Sequence, residues 1–137
     1  MALLQCSIKS EVLEMEQPMH VILPQIKMVE EERRKQIKKN GFPVLYLLHG
    51  LSDDNTVWTR MTSIERYALK YGIAVVMPNV NRSFYADMKH GLKYYTYVSE
   101  EVPYMATTYF PISDRREDSY IAGLSMGGYG AFMIAIR

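Results

Sequence analysis

The sequence predicts an α/β fold: a mostly parallel sheet with antiparallel N-terminal strands and helices on both faces. Three observations carry that prediction. Residues 42–48 and 73–77 are continuous apolar runs without polar alternation, the pattern of strands buried on both faces. A helical stretch lies between them, and a strand–helix–strand unit makes its strands parallel, with a right-handed crossover. Towards the end, residues 118–132 read as strand, tight turn and helix in immediate succession.

Taken in order, residues 3–11 are strand-like with mixed alternation. Residues 17–24 follow, with Met19, Val21 and Leu23 on one face and His20 and Ile22 on the other. These two runs are expected to pair antiparallel and open the sheet. His20 is given a structural place facing solvent or an edge, and Cys6 is core filler rather than a nucleophile. Residues 29–40 are densely charged, with Glu30, Glu31 and Glu32 ahead of Arg33, Arg34, Lys35, Lys38 and Lys39. Glu31 and Lys35 would support a helical turn, but the reading adopted is a mobile connection whose charges cancel. Asn40-Gly41 then punctuates the chain before the first buried strand, which runs into His49-Gly50-Leu51-Ser52-Asp53.

Residues 57–71 are expected as one helix, capped by Asn55 or Thr56 and stopped by Gly72. Ile64, Tyr67, Ala68 and Tyr71 form its inward face. Residues 80–97 follow the second buried strand. They form a loop rich in Asn, Arg and aromatics at the strand's C-terminal end, where open α/β sheets bind ligands. Tyr85 and Tyr94 of this loop, with Trp58 from the preceding helix, are candidates to wall a pocket for an acyl or alkyl group. Plain packing of a surface loop is the alternative. Residues 98–110 read as a second helix, with Glu100 and Glu101 in its first turn and Pro103 early. Residues 111–116 connect to the last strand.

Composition bounds the function. A chain of 137 residues is one domain by length. Its 48% apolar and 23% charged fractions are ordinary for a globular protein, and a formal net charge of +1 points to no nucleic acid or other polyanion. A lone cysteine excludes an internal disulfide framework and fits a reducing compartment. The N-terminus lacks a basic n-region, and no run approaches the roughly 20 apolar residues of a membrane span. A cytoplasmic protein without a membrane partner is therefore expected.

The chemistry concentrates in Ala122-Gly123-Leu124-Ser125-Met126-Gly127-Gly128. A G-x-S-x-G sequence between a buried strand and a helix is the context of a nucleophile elbow, whose serine sits on a strained turn. Gly123 and Gly127 flank Ser125 where strand and helix press together, so neither position tolerates a Cβ. A glycine-rich connection of another kind would carry the same letters without the flanking elements. Gly50, at the end of a buried strand, lets the backbone approach a ligand, and an N–H near Leu51 could supply half of an oxyanion hole. The N–H of Met126, at the start of the following helix, could supply the other half. Serine needs a base and a group to orient it. In hydrolases built around this elbow both come after the serine, yet Met126 to Arg137 contain no Asp, Glu or His. His90 would precede the serine and is not assigned as the base.

The segments His49-Gly50-Leu51-Ser52-Asp53, Val75-Val76-Met77-Pro78-Asn79 and Ala122 to Ala131 resemble the esterase D family. That family includes S-formylglutathione hydrolases and the tributyrin-type esterases of Gram-positive bacteria. Trp58, Ile64-Glu65-Arg66, Tyr85 and Tyr94-Tyr95-Thr96-Tyr97 are most similar to the latter. The resemblance implies an α/β-hydrolase fold, truncated, with residues 1–137 the N-terminal part of a single domain. The catalytic acid and histidine would belong to a C-terminal part absent from it. By position, Ser125 matches the nucleophile, and Leu51 and Met126 match the residues whose backbone N–H groups line the oxyanion hole. The implied function is that of a serine carboxylesterase acting on short-chain acyl esters through an acyl-enzyme, with no cofactor and no metal. Thioester hydrolysis, as in S-formylglutathione hydrolases, and acyl transfer use the same machinery. A non-catalytic fragment or binding module is the alternative from another class. The strand before Ser125 would be left as a sheet edge, so homo-oligomerisation or edge-strand pairing is expected.

Overall fold

The structure, a computed structural model, describes residues 1–137. Its middle layer is a five-stranded sheet whose spatial order is β1 (Ala2–Ser10), β2 (Met15–Leu23), β4 (Ala74–Pro78), β3 (Val44–Leu48) and β5 (Ser119–Gly123). β1 (Ala2–Ser10) and β2 (Met15–Leu23) pair antiparallel from Ala2↔Leu23 to Ser10↔Met15. β2 lies antiparallel to β4 (Ala74–Pro78). β3 (Val44–Leu48) runs parallel to β4 on one side and to β5 (Ser119–Gly123) on the other. The expected sheet is therefore present: an antiparallel N-terminal pair joined to three parallel strands, with β5 at the edge.

Side-chain alternation sorts the strands into two cores. Met19, Val21, Val44, Tyr46, Leu48 and Val76 belong to the larger one, which α1 (Glu31–Asn40), α5 (Val102–Tyr109) and α6 (Met126–Ala135) cover. Ile22, Leu47, Val75 and Met77 face the other way, under α2 (Val57–Met61) and α3 (Ile64–Tyr71). Helices thus lie on both faces. Cys6 packs partly buried against the larger core, and burial pushes its thiol up, away from nucleophilic character. No helix is long and apolar enough to cross a membrane.

Several local expectations are corrected. Residues 31–40 form α1 rather than a mobile connection. Glu31 and Glu32 stand in its first turn and Lys38 and Lys39 in its last, matching the helix dipole at both ends. Lys35 reaches Glu32 at 3.2 Å and Glu31 at 3.8 Å, and Ile37 is its buried anchor. The helix expected over 57–71 is two, broken where Thr62 turns extended (φ −139°, ψ 173°). Neither Asn55 nor Thr56 caps it: Asp54 accepts the Thr56 N–H at 2.8 Å, while Asn55 turns inward to His20. Gly72 does end α3, in the left-handed conformation (φ 61°). Ile64 and Ala68 face inward, but Tyr67 and Tyr71 are exposed beneath Arg66 and Lys70.

His20 is buried, not at a surface, and its Nδ1 lies 2.8 Å from the Asn55 carbonyl oxygen. The helix expected over 98–110 begins earlier, with α4 (Tyr94–Thr96) and a π-helical turn (Tyr97–Glu101) running into α5. Asp87 accepts the Thr96 N–H at 3.0 Å and tethers that start. The Glu101 carboxylate accepts from the Glu11 N–H at 2.7 Å and the Val12 N–H at 3.3 Å, fastening the β1–β2 turn to this helix.

Candidate active site

The site grows from the β5–α6 junction. β5, at the sheet edge beside β3, enters the turn through Ala122 and Gly123, and α6 leaves at once. Ser125 sits between them at φ 56°, ψ −121°, a backbone region that costs a non-glycine residue about 1–3 kcal/mol. The reversal is this sharp because the flanking glycines allow it. A Cβ on Gly123 would collide with the Gly127 backbone, and one on Gly127 would collide with the Leu48 carbonyl oxygen. Ser125 itself is exposed, with its main chain at the N-terminal end of α6. The partial positive charge of that helix end lies beside its hydroxyl.

The loop after β3 meets the elbow. A Cβ placed on Gly50 would lie 3.8 Å from the Ser125 Cβ and 3.6 Å from the Leu124 carbonyl oxygen. Leu51, the next residue, packs against the larger core. Neither the Leu51 N–H nor the Met126 N–H donates to another backbone group. Met126 is the first residue of α6, where no intrahelical acceptor exists. Two unengaged N–H groups therefore stand on the two segments that meet at Ser125.

His49 is buried and lies next to this junction, but both its ring nitrogens are committed. Nε2 accepts the Val80 N–H at 3.0 Å, and Nδ1 donates to the Gly50 carbonyl oxygen at 2.7 Å. Accepting at Nε2 fixes the proton on Nδ1, so the ring is a neutral structural link with no lone pair left for a serine proton. His90 is exposed in the loop after β4, and His20 is held by Asn55. No histidine of this chain is in place as the base.

The three aromatic residues expected to wall a pocket do not do so together. Tyr85 is fully buried and its hydroxyl donates to the His49 carbonyl oxygen at 2.9 Å. Tyr94 is buried too, its hydroxyl accepting from Asn81 Nδ2 at 2.9 Å. Trp58 packs on the opposite face of the sheet against the smaller core. Apolar bulk drew each of them into packing, and a sheet separates Trp58 from the tyrosines. Grooves of about 480 Å³ beside β1 and α5 and about 490 Å³ along β5 are not lined by Ser125. His49 and Tyr85 are the residues that sequence reasoning did not connect. Their partners lie 31 and 36 residues away in the chain, and no spacing announces such contacts.

A family model described as "Putative esterase" matches residues 10–137. An acetyl esterase of Caldicellulosiruptor saccharolyticus is 33% identical over 138 residues, covering 100% of this chain and 52% of that protein. A fluorophosphonate-binding serine hydrolase F of Staphylococcus aureus superposes with a TM-score of 0.83 at 41% identity, over 98% of this chain and 51% of that one. An S-formylglutathione hydrolase of Staphylococcus aureus gives 0.79 at 42% identity, over 98% and 52%. The chain spans about half the length of the relatives it matches. These likenesses show an α/β-hydrolase-type fold.

Proposed function

The chain belongs to the esterase family, and from that membership we propose that it carries the nucleophile half of a serine esterase acting on short-chain acyl esters. The observation that carries the reading is the strained, exposed Ser125 at the head of α6, with two unengaged N–H groups beside it. In this reading Ser125 Oγ attacks the acyl carbonyl and forms a tetrahedral oxyanion. The N–H groups of Leu51 and Met126 donate to that oxyanion, and the positive end of α6 favours its charge. Collapse expels the alcohol and leaves the acyl group on Ser125, from which water then releases the acid. The proton of Ser125 needs an acceptor outside residues 1–137, because His49 is committed at both nitrogens and Met126 to Arg137 contain no base. Residues 1–137 are then the N-terminal part of one hydrolase domain whose acid and histidine lie elsewhere.

Ser125→Ala in the protein that carries this chain in full is expected to abolish hydrolysis of p-nitrophenyl acetate and labelling by a fluorophosphonate. Undiminished turnover in that variant would overturn the assignment. The 137-residue chain alone is expected to turn over within about 10³–10⁴-fold of the uncatalysed rate, the residue left when triad members are missing. A tributyrin preference, thioester hydrolysis as in the S-formylglutathione hydrolases, and acyl transfer are separated by measuring the same Ser125-dependent activity on each class of acyl donor and acceptor. The named S-formylglutathione hydrolase and acetyl esterase relatives support the thioester and short-ester readings respectively.

A further inference from the structure

Resting on the esterase reading above, we infer that Tyr85 is a positioning residue for the oxyanion donor Leu51, acting through His49. Three hydrogen bonds carry the inference. The Tyr85 hydroxyl donates to the His49 carbonyl oxygen at 2.9 Å, and His49 Nδ1–H donates to the Gly50 carbonyl oxygen at 2.7 Å. Two consecutive carbonyls before Leu51 are thereby fixed. In a planar trans peptide the N–H points opposite to the C=O. The Gly50 carbonyl, which also accepts the Asp53 N–H at 3.2 Å, is held against the buried His49 ring, and the Leu51 N–H therefore points the opposite way. The His49 ring is itself fixed by the Val80 N–H at 3.0 Å, so the chain of contacts is anchored at its far end by the segment after β4.

The backbone of the Tyr85 segment supports a purposeful placement. Asn81, Phe84 and Tyr85 all have positive φ (51°, 53° and 55°) without being glycine. Such strain persists only where the surroundings impose it, and it clusters at functional sites. Ser83 Oγ accepts the Tyr85 N–H at 3.1 Å and holds the turn. The ring then slides under α6, where Gly130 leaves room: a Cβ there would fall 2.5 Å from Tyr85 Cγ and Cδ2. A phenylalanine would fill the same space and keep the tilted contact with the His49 ring, centroids 6.2 Å apart, but would lose the hydrogen bond to the His49 carbonyl oxygen. The structure thus uses a strained loop and a helix glycine to deliver one O–H to the His49 carbonyl, which abuts Gly127 two residues after Ser125.

The test is Tyr85→Phe in the full-length enzyme. Deleting an oxyanion donor outright costs about 10²–10³ in kcat. Loosening one is expected to cost about tenfold in kcat with KM nearly unchanged. The affinity of a trifluoromethyl ketone transition-state analogue should fall by the same factor as kcat/KM. Gly130→Ala, which displaces the ring instead of removing the hydroxyl, should give the same kcat–KM split. A role in packing alone would lower the melting temperature and leave kcat of the folded enzyme unchanged, and that result overturns the inference. Independently of turnover, the Leu51 amide resonance should shift and exchange faster with solvent in Tyr85→Phe, while the amides of β1 stay put. An unmoved Leu51 amide overturns the inference even if activity falls. Activity surviving Ser125→Ala would sink the esterase reading instead, and the Leu51 amide would still decide whether Tyr85 positions it.

Discussion

At the scale of single residues, the fold treats its tyrosines unequally. Tyr67, Tyr71, Tyr104 and Tyr109 stand in solvent, whereas Tyr46, Tyr85 and Tyr97 are sealed in the larger core. Burial pushes the Tyr46 phenol up to about 12, and it pushes Tyr85 and Tyr97 upward as well. The charged phenolate is the form that low dielectric disfavours. In the unfolded chain these groups titrate near 10. Above that pH the unfolded state releases protons that the folded state retains, so stability is complete below pH ~10 and is lost as pH rises towards 12. Each phenol contributes a slope of about 1.4 kcal/mol per pH unit in that window. Urea midpoints measured from pH 9 to 11 should fall accordingly, and Tyr46→Phe should remove one share of the slope. A flat profile would show that these phenols reach water without unfolding.

At the scale of elements, the β5–α6 junction is held by absence of side chains. Gly127 abuts the Leu48 and His49 carbonyl oxygens, which are backbone atoms and cannot swing away. Gly127→Ala is therefore expected to destabilise by about 3 kcal/mol or more, at or past the top of the usual range for overpacking. Gly128 is the internal control, since a Cβ there would meet only the Gly123 carbonyl group, its oxygen at 3.4 Å and its carbon at 3.9 Å. Gly128→Ala should change stability by less than about 1 kcal/mol and can stabilise, because glycine is a poor residue in a helix. Denaturant titration of the two variants side by side tests the contrast. Other elements were less legible. α1 hid behind its charge: Ile37 is its one buried residue, so the 3.6-residue apolar period that announces a helix is absent. The break between α2 and α3 is equally quiet, because Thr62 and Ser63 interrupt no pattern that the sequence makes obvious.

At the scale of the whole molecule, β5 is paired on one side only, by β3. Apolar side chains on β5, on the turn after it and on α6 are exposed as well: Tyr120, Leu124, Phe132 and Ile136, Phe132 to 69%. Unpaired backbone groups flanked by apolar surface favour pairing with another chain. The 137-residue chain alone is expected to sediment as dimers or larger species at micromolar concentration. Tyr120→Lys combined with Phe132→Lys should shift it towards monomer. Sedimentation velocity over a concentration series reads the outcome, and a monomer at every concentration would refute the expectation.

The sequence by itself determined the antiparallel N-terminal pair, the buried parallel strands, the strand–turn–helix junction at Ser125, and the glycines that junction requires. Each is a local pattern, written in apolar periodicity or in residues lacking a Cβ, and neighbours in the chain suffice to read it. Only the tertiary structure decided what Tyr85, Tyr94 and Trp58 do, because burial and hydrogen-bond partners are set by segments far apart in the chain. His49 shows the division most plainly. Its place after a buried strand marked the loop as worth watching, but its proton, its tautomer and its hold on Gly50 follow from Val80, 31 residues further on. Directed contacts of that kind form only after the sheet has brought β3 and β4 side by side.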